Sequence, residues 1–151
     1  MKRPIMVLSF ALSFFPVAKV SAEQSQIEVY KTNSCGCCVA WMNHLDENGF
    51  ETTGHDMFGG SLVRFKLDNG VPQRMVSCHT GLIDGYVIEG HVPAADISRL
   101  LEERPEAVGL AVPKMPLGSP GMDQGSRRDA YDVFLIYEDG STEVFASYPG
   151  N

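Results

Sequence analysis

The sequence predicts an α/β domain, and two observations carry this prediction. Segments with the two-residue period of strands alternate with segments of helical period through the first half of the chain. Two Asp-Gly pairs, at 84–85 and 139–140, each separate two apolar runs, as in a β-hairpin. We assign residues 23–151 to one domain, because a chain of that length builds a single hydrophobic core.

Residues 1–22 have the three parts of a secretory signal peptide. Lys2 and Arg3 form the basic start, residues 5–17 are nearly all apolar, and residues 20–22 have the small-residue pattern of a cleavage site. A proline and a lysine interrupt the run, which is shorter than the roughly 20 apolar residues that a membrane-spanning helix needs. We therefore expect cleavage, export to an oxidising compartment and no membrane association of the mature chain.

The predicted mature chain is acidic. The full sequence has a net charge of −7, and loss of three basic and no acidic residues with the signal peptide takes it to −10. A negative chain is repelled by the phosphates of nucleic acid and by anionic membranes. We expect neither as a partner.

The predicted elements follow one another in a simple order. Residues 27–31 alternate apolar and polar side chains, as in a strand. A helix is predicted for residues 37–48, whose apolar side chains share one face, and Gly49 ends it. The remaining predicted elements are a strand at 50–55, a helix at 61–69, a hairpin with strands 81–83 and 86–88, a helix at 93–103, a loop at 110–125 and a second hairpin with strands 131–137 and 143–148.

This order, with cysteines at the start of the first helix, is that of a thioredoxin-like fold. In such a fold the segment before the first hairpin passes close to the start of that helix. Here the segment is Ser77-Cys78-His79, so Cys78 should meet the other cysteines. The C-terminal hairpin is an addition, and nothing in the sequence assigns it a role.

Three of the four cysteines, Cys35, Cys37 and Cys38, lie within four residues. Disulfides between such near neighbours close loops too short to stabilise a fold much. The cluster is typical of a thiophilic metal site, or of a dithiol that cycles to a disulfide. Structural disulfides remain an alternative.

Copper is the metal that these donors favour. Cu(I) is soft and prefers thiolate and thioether ligands, with imidazole as an addition. Cys35 and Cys38 can face one ion across a loop–helix junction, whereas Cys37, if helical, projects about 100° away from Cys38. A multinuclear cluster, in which thiolates bridge several copper ions, would use all four cysteines including Cys78 more naturally. We offer that cluster as a hypothesis.

Histidines and methionines are further candidate ligands. His91 lies in a turn before a helix, off any buried face, and is the best nitrogen donor for Cu(II). His79 is a weaker candidate, because alternation in an extended segment turns it away if Cys78 faces the cluster. Met115 and Met122 lie in an aperiodic Pro/Gly loop, where a thioether is hard to explain as core packing and would suit Cu(I).

Five segments together resemble one known family. They are Cys35-Gly36-Cys37-Cys38, Ser77-Cys78-His79-Thr80, residues 85–97, residues 109–113 and residues 115–122. In this order they are similar to the CopG-type copper-resistance proteins, a bacterial family long catalogued as a domain of unknown function. The resemblance covers essentially the whole predicted mature domain. It implies a thioredoxin-like fold, a periplasmic location, copper bound through the cysteines, a role in copper tolerance and interconversion of Cu(I) and Cu(II).

Four functions are compatible with these residues. The first is a copper-binding redox protein, a candidate copper oxidoreductase with no catalytic residue distinct from its metal ligands. The others are a non-catalytic Cu(I) chaperone or buffer that delivers to an exporter, a thiol–disulfide oxidoreductase, and a structural zinc site. As partners we expect copper ions and a periplasmic copper chaperone or efflux system.

Overall fold

A computed structural model describes residues 25–151, and the predicted signal peptide lies outside the described residues. Within them, no helix is long and apolar enough to cross a membrane. The elements are β1 (Gln26–Lys31), α1 (Gly36–Glu47), β2 (Glu51–Asp56), α2 (Gly59–Asp68), a 3₁₀ turn (Gln73–Met75), β3 (Thr80–Ile83), β4 (Tyr86–Glu89), α3 (Ala94–Glu103), β5 (Gly109–Ala111), β6 (Tyr131–Ile136) and β7 (Thr142–Tyr148).

The strands form one mixed sheet in the order β2-β1-β3-β4-β5-β6-β7. Strands β1 and β2 are parallel, as are β4 and β5, and the other neighbours are antiparallel. The predicted α/β class is therefore confirmed. Elements β1 to α3 follow the predicted order of strand, helix, strand, helix, hairpin and helix, which is compatible with the thioredoxin-like arrangement.

Strand β5 corrects the sequence prediction, which placed Leu110 and Ala111 in a loop. Three residues are too few to show a period, and all three are buried, so no alternation marks them. A Cβ on Gly109 would lie 1.8 Å from the carbonyl oxygen of Val87, so only glycine allows this close approach. Because β5 pairs with both β4 and β6, it joins the C-terminal hairpin to the sheet.

The first hairpin turns as its Asp-Gly pair predicts. Asp84 and Gly85 both have positive φ, at 48° and 86°, the combination that a two-residue turn of this kind requires. Strand β4 therefore returns beside β3 and brings the segment after it, which contains His91, next to the segment that precedes β3.

The core lies between the sheet and helices α1 and α3. Trp41 and Leu45 on α1 are fully buried with Ile27 of β1 and Ile97 of α3. The indole of Trp41 donates a hydrogen bond to the carbonyl oxygen of Val92 at 2.8 Å, so its only polar atom is satisfied. This core fixes the start of α1 against the segment that follows β4.

Candidate metal centre

The start of α1 holds three of the cysteines. Cys35 precedes the first helical residue, and its carbonyl oxygen accepts a hydrogen bond from the amide of Val39 at 3.3 Å. Cys38 points into the core and is fully buried. Cys35 and Cys38 are joined by a disulfide, whereas Cys37 and Cys78 are free thiols.

Cys78 meets this cluster from the segment before β3. Its Sγ lies 3.7 Å from Sγ of Cys37, which in turn lies 3.5 Å from Sγ of Cys35. All four sulfur atoms lie within 4.8 Å of one another. The structure thus brings together the four cysteines named from the sequence, and their role as metal ligands stays a prediction.

His91 lies beside the same cysteine cluster, in the space between the start of α1, the Cys78 segment and the loop at residues 119–122, which we call the pocket. Its expected position off any buried face is wrong. The side chain is fully buried, because the loop at residues 119–122 covers it. Nε2 lies 3.0 Å from Sγ of Cys78, and Nδ1 lies 2.8 Å from the carbonyl oxygen of Pro120. A carbonyl only accepts hydrogen bonds, so Nδ1 carries the proton and the lone pair of Nε2 faces the thiol.

His79 also faces the pocket, against the expectation from strand alternation. Cys78 lies at a bend and β3 begins only at Thr80, so the alternation rule does not apply to this pair. Nδ1 of His79 lies 3.7 Å from Sγ of Cys78, and the ring packs on Trp41 with 4.2 Å between centroids. The ring of His91 meets that of His79 edge-on at 4.9 Å.

Burial keeps these groups in their uncharged forms. It lowers the pKa of His91, and it lowers that of His79 well below the usual value, so both imidazoles are uncharged at neutral pH. Burial, followed by the neighbouring Cys37, raises the pKa of Cys78 to about 12. Cys78 is therefore a thiol in the metal-free chain, and metal binding must displace its proton.

A buried ion pair between Lys66 and Glu89, which the sequence analysis did not predict, supports the Cys78 segment. Nζ of Lys66 lies 2.8 Å from Oε1 of Glu89 and 2.9 Å from Oγ1 of Thr80. The same Glu89 oxygen accepts a hydrogen bond from the amide of Ser77 at 2.6 Å. Lys66 follows Leu62 by four residues, so both lie on the inward face of α2. This spacing was the feature of the sequence from which the burial of Lys66 could have been predicted.

The Pro/Gly loop closes the pocket from the other side. A Cβ on Gly121 would lie 2.7 Å from the carbonyl oxygen of Cys37, so the loop packs directly on the first turn of α1. Met122 follows this contact and is partly buried, whereas Met115 is 49 % exposed. The role of each methionine as a copper ligand stays a prediction.

Comparison with known proteins identifies the family. A family profile described as "Protein of unknown function, DUF411" matches residues 75–122, which include Cys78, His79 and His91. No curated protein matches the chain. Two solved structures are similar to it: "Copper resistance protein copG- Form 1", with 51% identity over 85% of this chain, and "Copper resistance protein copG- Form 2", with 50% identity over 84%.

Both comparisons cover 100% of the solved chain and have a TM-score of 0.79. The similarity therefore includes the amino-acid sequence as well as the fold, and it covers the full length of both solved chains. The chain belongs to the CopG family of copper resistance proteins.

Proposed function

We propose that this chain is a periplasmic copper-binding protein of copper resistance that interconverts Cu(I) and Cu(II). One observation carries the proposal: the sulfur atoms of all four cysteines lie within 4.8 Å of one another, and two of them form a disulfide. A group of thiols holds a soft metal ion, and a dithiol–disulfide pair stores two electrons. The pocket combines both capacities.

The donor atoms suit both oxidation states of copper. Thiolates from Cys35, Cys37, Cys38 and Cys78 are ligands that Cu(I) prefers, and imidazole nitrogen from His91 extends the set toward Cu(II). Sγ of Cys37 lies between those of Cys35 and Cys78, at 3.5 and 3.7 Å. A central thiolate of this kind favours a bridged, multinuclear Cu(I) cluster over a single-ion site.

In the redox step that we propose, the thiols of Cys35 and Cys38 supply the electrons. The two thiols lose two electrons and two protons and form the disulfide. Two Cu(II) ions each take one electron and become Cu(I), and the protons pass to solvent. The reverse step oxidises two Cu(I) ions while the disulfide opens. A thiol-bearing partner that reduces the disulfide, and a chaperone or efflux system that accepts copper, would complete a cycle.

Anaerobic copper titration tests this function. We expect the reduced chain to bleach the paramagnetic resonance of added Cu(II) and to lose two titratable thiols per two ions reduced. After loading with Cu(I) under argon, the bridged cluster predicts more than one copper per chain, and a maximum of one would reject the cluster. A reduced chain that leaves the Cu(II) signal intact would reject the redox function.

Two variants test the role of Cys37 in the same titration. Cys37→Ser removes the central thiolate while the Cys35–Cys38 pair remains, so we expect it to lower the copper stoichiometry but to retain Cu(II) reduction. Ser34→Ala is the matched control, because Ser34 lies beside the cluster and is exposed. It should behave as the wild type in both measurements.

A thiol–disulfide oxidoreductase is the second candidate function. The disulfide at the start of α1 favours it, because this is where a thioredoxin-like fold carries its reactive pair. Such a protein should turn over a generic disulfide substrate without metal, at a rate that added Cu(I) suppresses. If the reduced, metal-free chain shows no turnover, the oxidoreductase function is rejected and only the copper function remains.

A further inference from the structure

The C-terminal hairpin, to which the sequence assigned no role, continues beyond the last paired residues of β6 and β7. There the amide of Asn151 donates a hydrogen bond to the carbonyl oxygen of Arg128 at 3.1 Å. Oδ1 of the Asn151 side chain accepts a hydrogen bond from the amide of Arg128 at 2.8 Å, and Nδ2 donates one to the carbonyl oxygen of Ser126 at 2.5 Å. Asn151 therefore fixes residues 126–128, just before β6 begins.

Asp129 connects the hairpin to the part of the Pro/Gly loop that closes the pocket. Oδ2 of Asp129 accepts a hydrogen bond from the amide of Leu117 at 3.1 Å, and the amide of Asp129 donates one to the carbonyl oxygen of Leu117 at 2.9 Å. A Cβ on Gly118 would lie 2.0 Å from Cδ of Arg128, so the Arg128 side chain lies directly against the loop. These contacts join the hairpin to residues 116–122, which we call the cover.

The cover is a compact unit that touches the pocket on its other side. Three hydrogen bonds between backbone atoms of residues 116–122 hold it together. The carbonyl oxygen of Pro120 accepts the hydrogen bond from Nδ1 of His91, and Gly121 packs on the first turn of α1. A displacement of the cover would therefore expose His91 and free its imidazole.

Hydrogen bonds, more than close packing, keep the cover in place on the hairpin side. A cavity of about 430 Å³ lies between the loop and β6, with Pro113, Met115 and Phe134 in its lining. The hydrogen bonds of the Asn151 side chain are exposed to solvent. Exposed hydrogen bonds stabilise a contact only slightly, so a segment held by them opens locally while the core stays folded.

We propose that the C-terminal hairpin is a latch, in which Asp129 and Asn151 hold the cover closed and thereby slow the release of copper from the pocket. This inference rests on the proposed function, because it concerns copper bound there. Both are positioning residues, since they act on the pocket through the cover and do not lie in it. The C-terminal hairpin thus gains a role in the retention of the metal.

Carbethoxylation of His91 by diethylpyrocarbonate measures opening of the cover in the metal-free chain. The reagent modifies an imidazole that solvent can reach, and His55, whose side chain is 42 % exposed, is the internal reference. We expect His91 to react about fivefold faster in Asp129→Ala and in Asn151→Ala than in the wild type, the effect of one net hydrogen bond. Unchanged reactivity of His91 in both variants would overturn the latch.

Transfer of Cu(I) to an excess of bathocuproine disulfonate measures the effect on the metal. The chelator is used at concentrations where the rate of transfer no longer rises, so that release from the chain limits it. We expect about fivefold faster release from both alanine variants and an unchanged number of copper ions per chain, because the cysteines and histidines are intact. Equal release rates would overturn the proposal even if His91 becomes more reactive.

Two further variants isolate the hydrogen bond to Leu117. Asp129→Asn keeps an acceptor for the Leu117 amide but loses the ion pair with Arg127 at 3.3 Å, so it should release copper as slowly as the wild type. Release as fast as from Asp129→Ala would contradict the latch. Asp132→Ala is the matched control, because its hydrogen bond from Ser147 at 2.6 Å joins β6 to β7 and does not reach the cover.

Urea unfolding distinguishes local opening from a general loss of stability. The latch predicts nearly equal urea midpoints for the wild type, both alanine variants and Asp132→Ala in the metal-free state. A midpoint that falls in parallel with faster copper release would assign that release to global unfolding and overturn the latch.

These experiments also separate this inference from the function that it extends. If the wild type binds no copper, the proposed function is wrong, and the reactivity of His91 in the metal-free chain still decides whether the latch exists. If the wild type binds and cycles copper but neither alanine variant releases it faster, the function stands and the latch is wrong.

Discussion

Lys66 and Glu89 form an ion pair that is almost completely inaccessible to solvent. Their side chains are 2 % and 0 % exposed, with 2.8 Å between Nζ and Oε1. Glu89 also accepts the amide hydrogen of Ser77, the residue before Cys78, and lies two residues before His91. The pair therefore connects α2, the cysteine segment and the histidine segment, and both sides of the metal centre depend on it.

Removal of one partner should destabilise the fold strongly. We expect Lys66→Met to cost about 3 kcal/mol, because it leaves the Glu89 carboxyl group buried without its cation. Arg64→Met is the matched control on the same helix, where the ion pair with Asp68 is exposed and contributes at most about 1 kcal/mol. Urea unfolding of the metal-free chain measures both, and equal midpoints for the two variants would contradict the prediction.

Gly90 should tolerate no side chain. Its φ is 72°, and a Cβ would lie 2.5 Å from the carbonyl oxygen of Val112 and 2.6 Å from Cβ of Ser77. We expect Gly90→Ala to cost more than about 2 kcal/mol and to weaken copper binding, because it pushes the Ser77 and His91 segments apart.

Gly85→Ala provides the control for that change. Gly85 has a similar φ of 86°, but nothing lies within 4 Å of its added Cβ. The control therefore measures backbone strain alone, about 1 to 2 kcal/mol, and should leave copper affinity unchanged. Thermal unfolding measures the stability of the two alanine variants, and copper titration measures their copper affinity. If both lose copper affinity equally, close packing at Gly90 does not position the site.

Trp41 should report copper binding directly. It is the only tryptophan in the chain, and its ring lies 4.2 Å from that of His79. Copper in the pocket should quench its fluorescence in proportion to occupancy, because a transition-metal ion at short range deactivates the excited indole. Mg²⁺, which prefers oxygen ligands, should leave the emission unchanged. Emission unaffected by a saturating amount of copper would place the ion elsewhere.

Acid should destabilise the metal-free chain through the half-buried His44 and the buried His79 and His91. The pKa of His44 is lowered by burial, and its Nε2 accepts a hydrogen bond from the amide of Ala94 at 3.1 Å. Because the unfolded state then takes up the proton first, stability is full above the unfolded pKa of about 6.5 and is lost as pH falls below it. His79 and His91 act in the same direction.

The contribution of His44 can be isolated with His44→Gln, which keeps an acceptor but does not titrate. We expect the variant to lose less stability than the wild type between about pH 8 and about pH 5.5. At the higher pH, the difference in the free energy of unfolding between the two chains gives the effect of the substitution that does not depend on protonation. Parallel loss of stability in both chains would contradict the assignment to His44.

Local patterns predicted the elements well where a period or a turn pair was present. The Asp84-Gly85 turn, the helix that begins after Cys35 and the C-terminal hairpin all depend on neighbours within a few residues. Strand β5 was missed because its three buried residues show no alternation, and its existence depends on pairing with two distant strands. Similarly, Lys66 and Glu89 are 23 residues apart, and no local pattern joins them.

The sequence by itself determined which donor atoms the protein carries and how the first three cysteines are spaced, since composition and local backbone order are written in it directly. Tertiary structure alone decided that His91 is buried under the Pro120 loop and that a bend turns His79 toward Cys78. Those directions depend on irregular backbone and on contacts between segments far apart in the chain. Side-chain periods hold only inside regular helices and strands, and the metal centre lies between them.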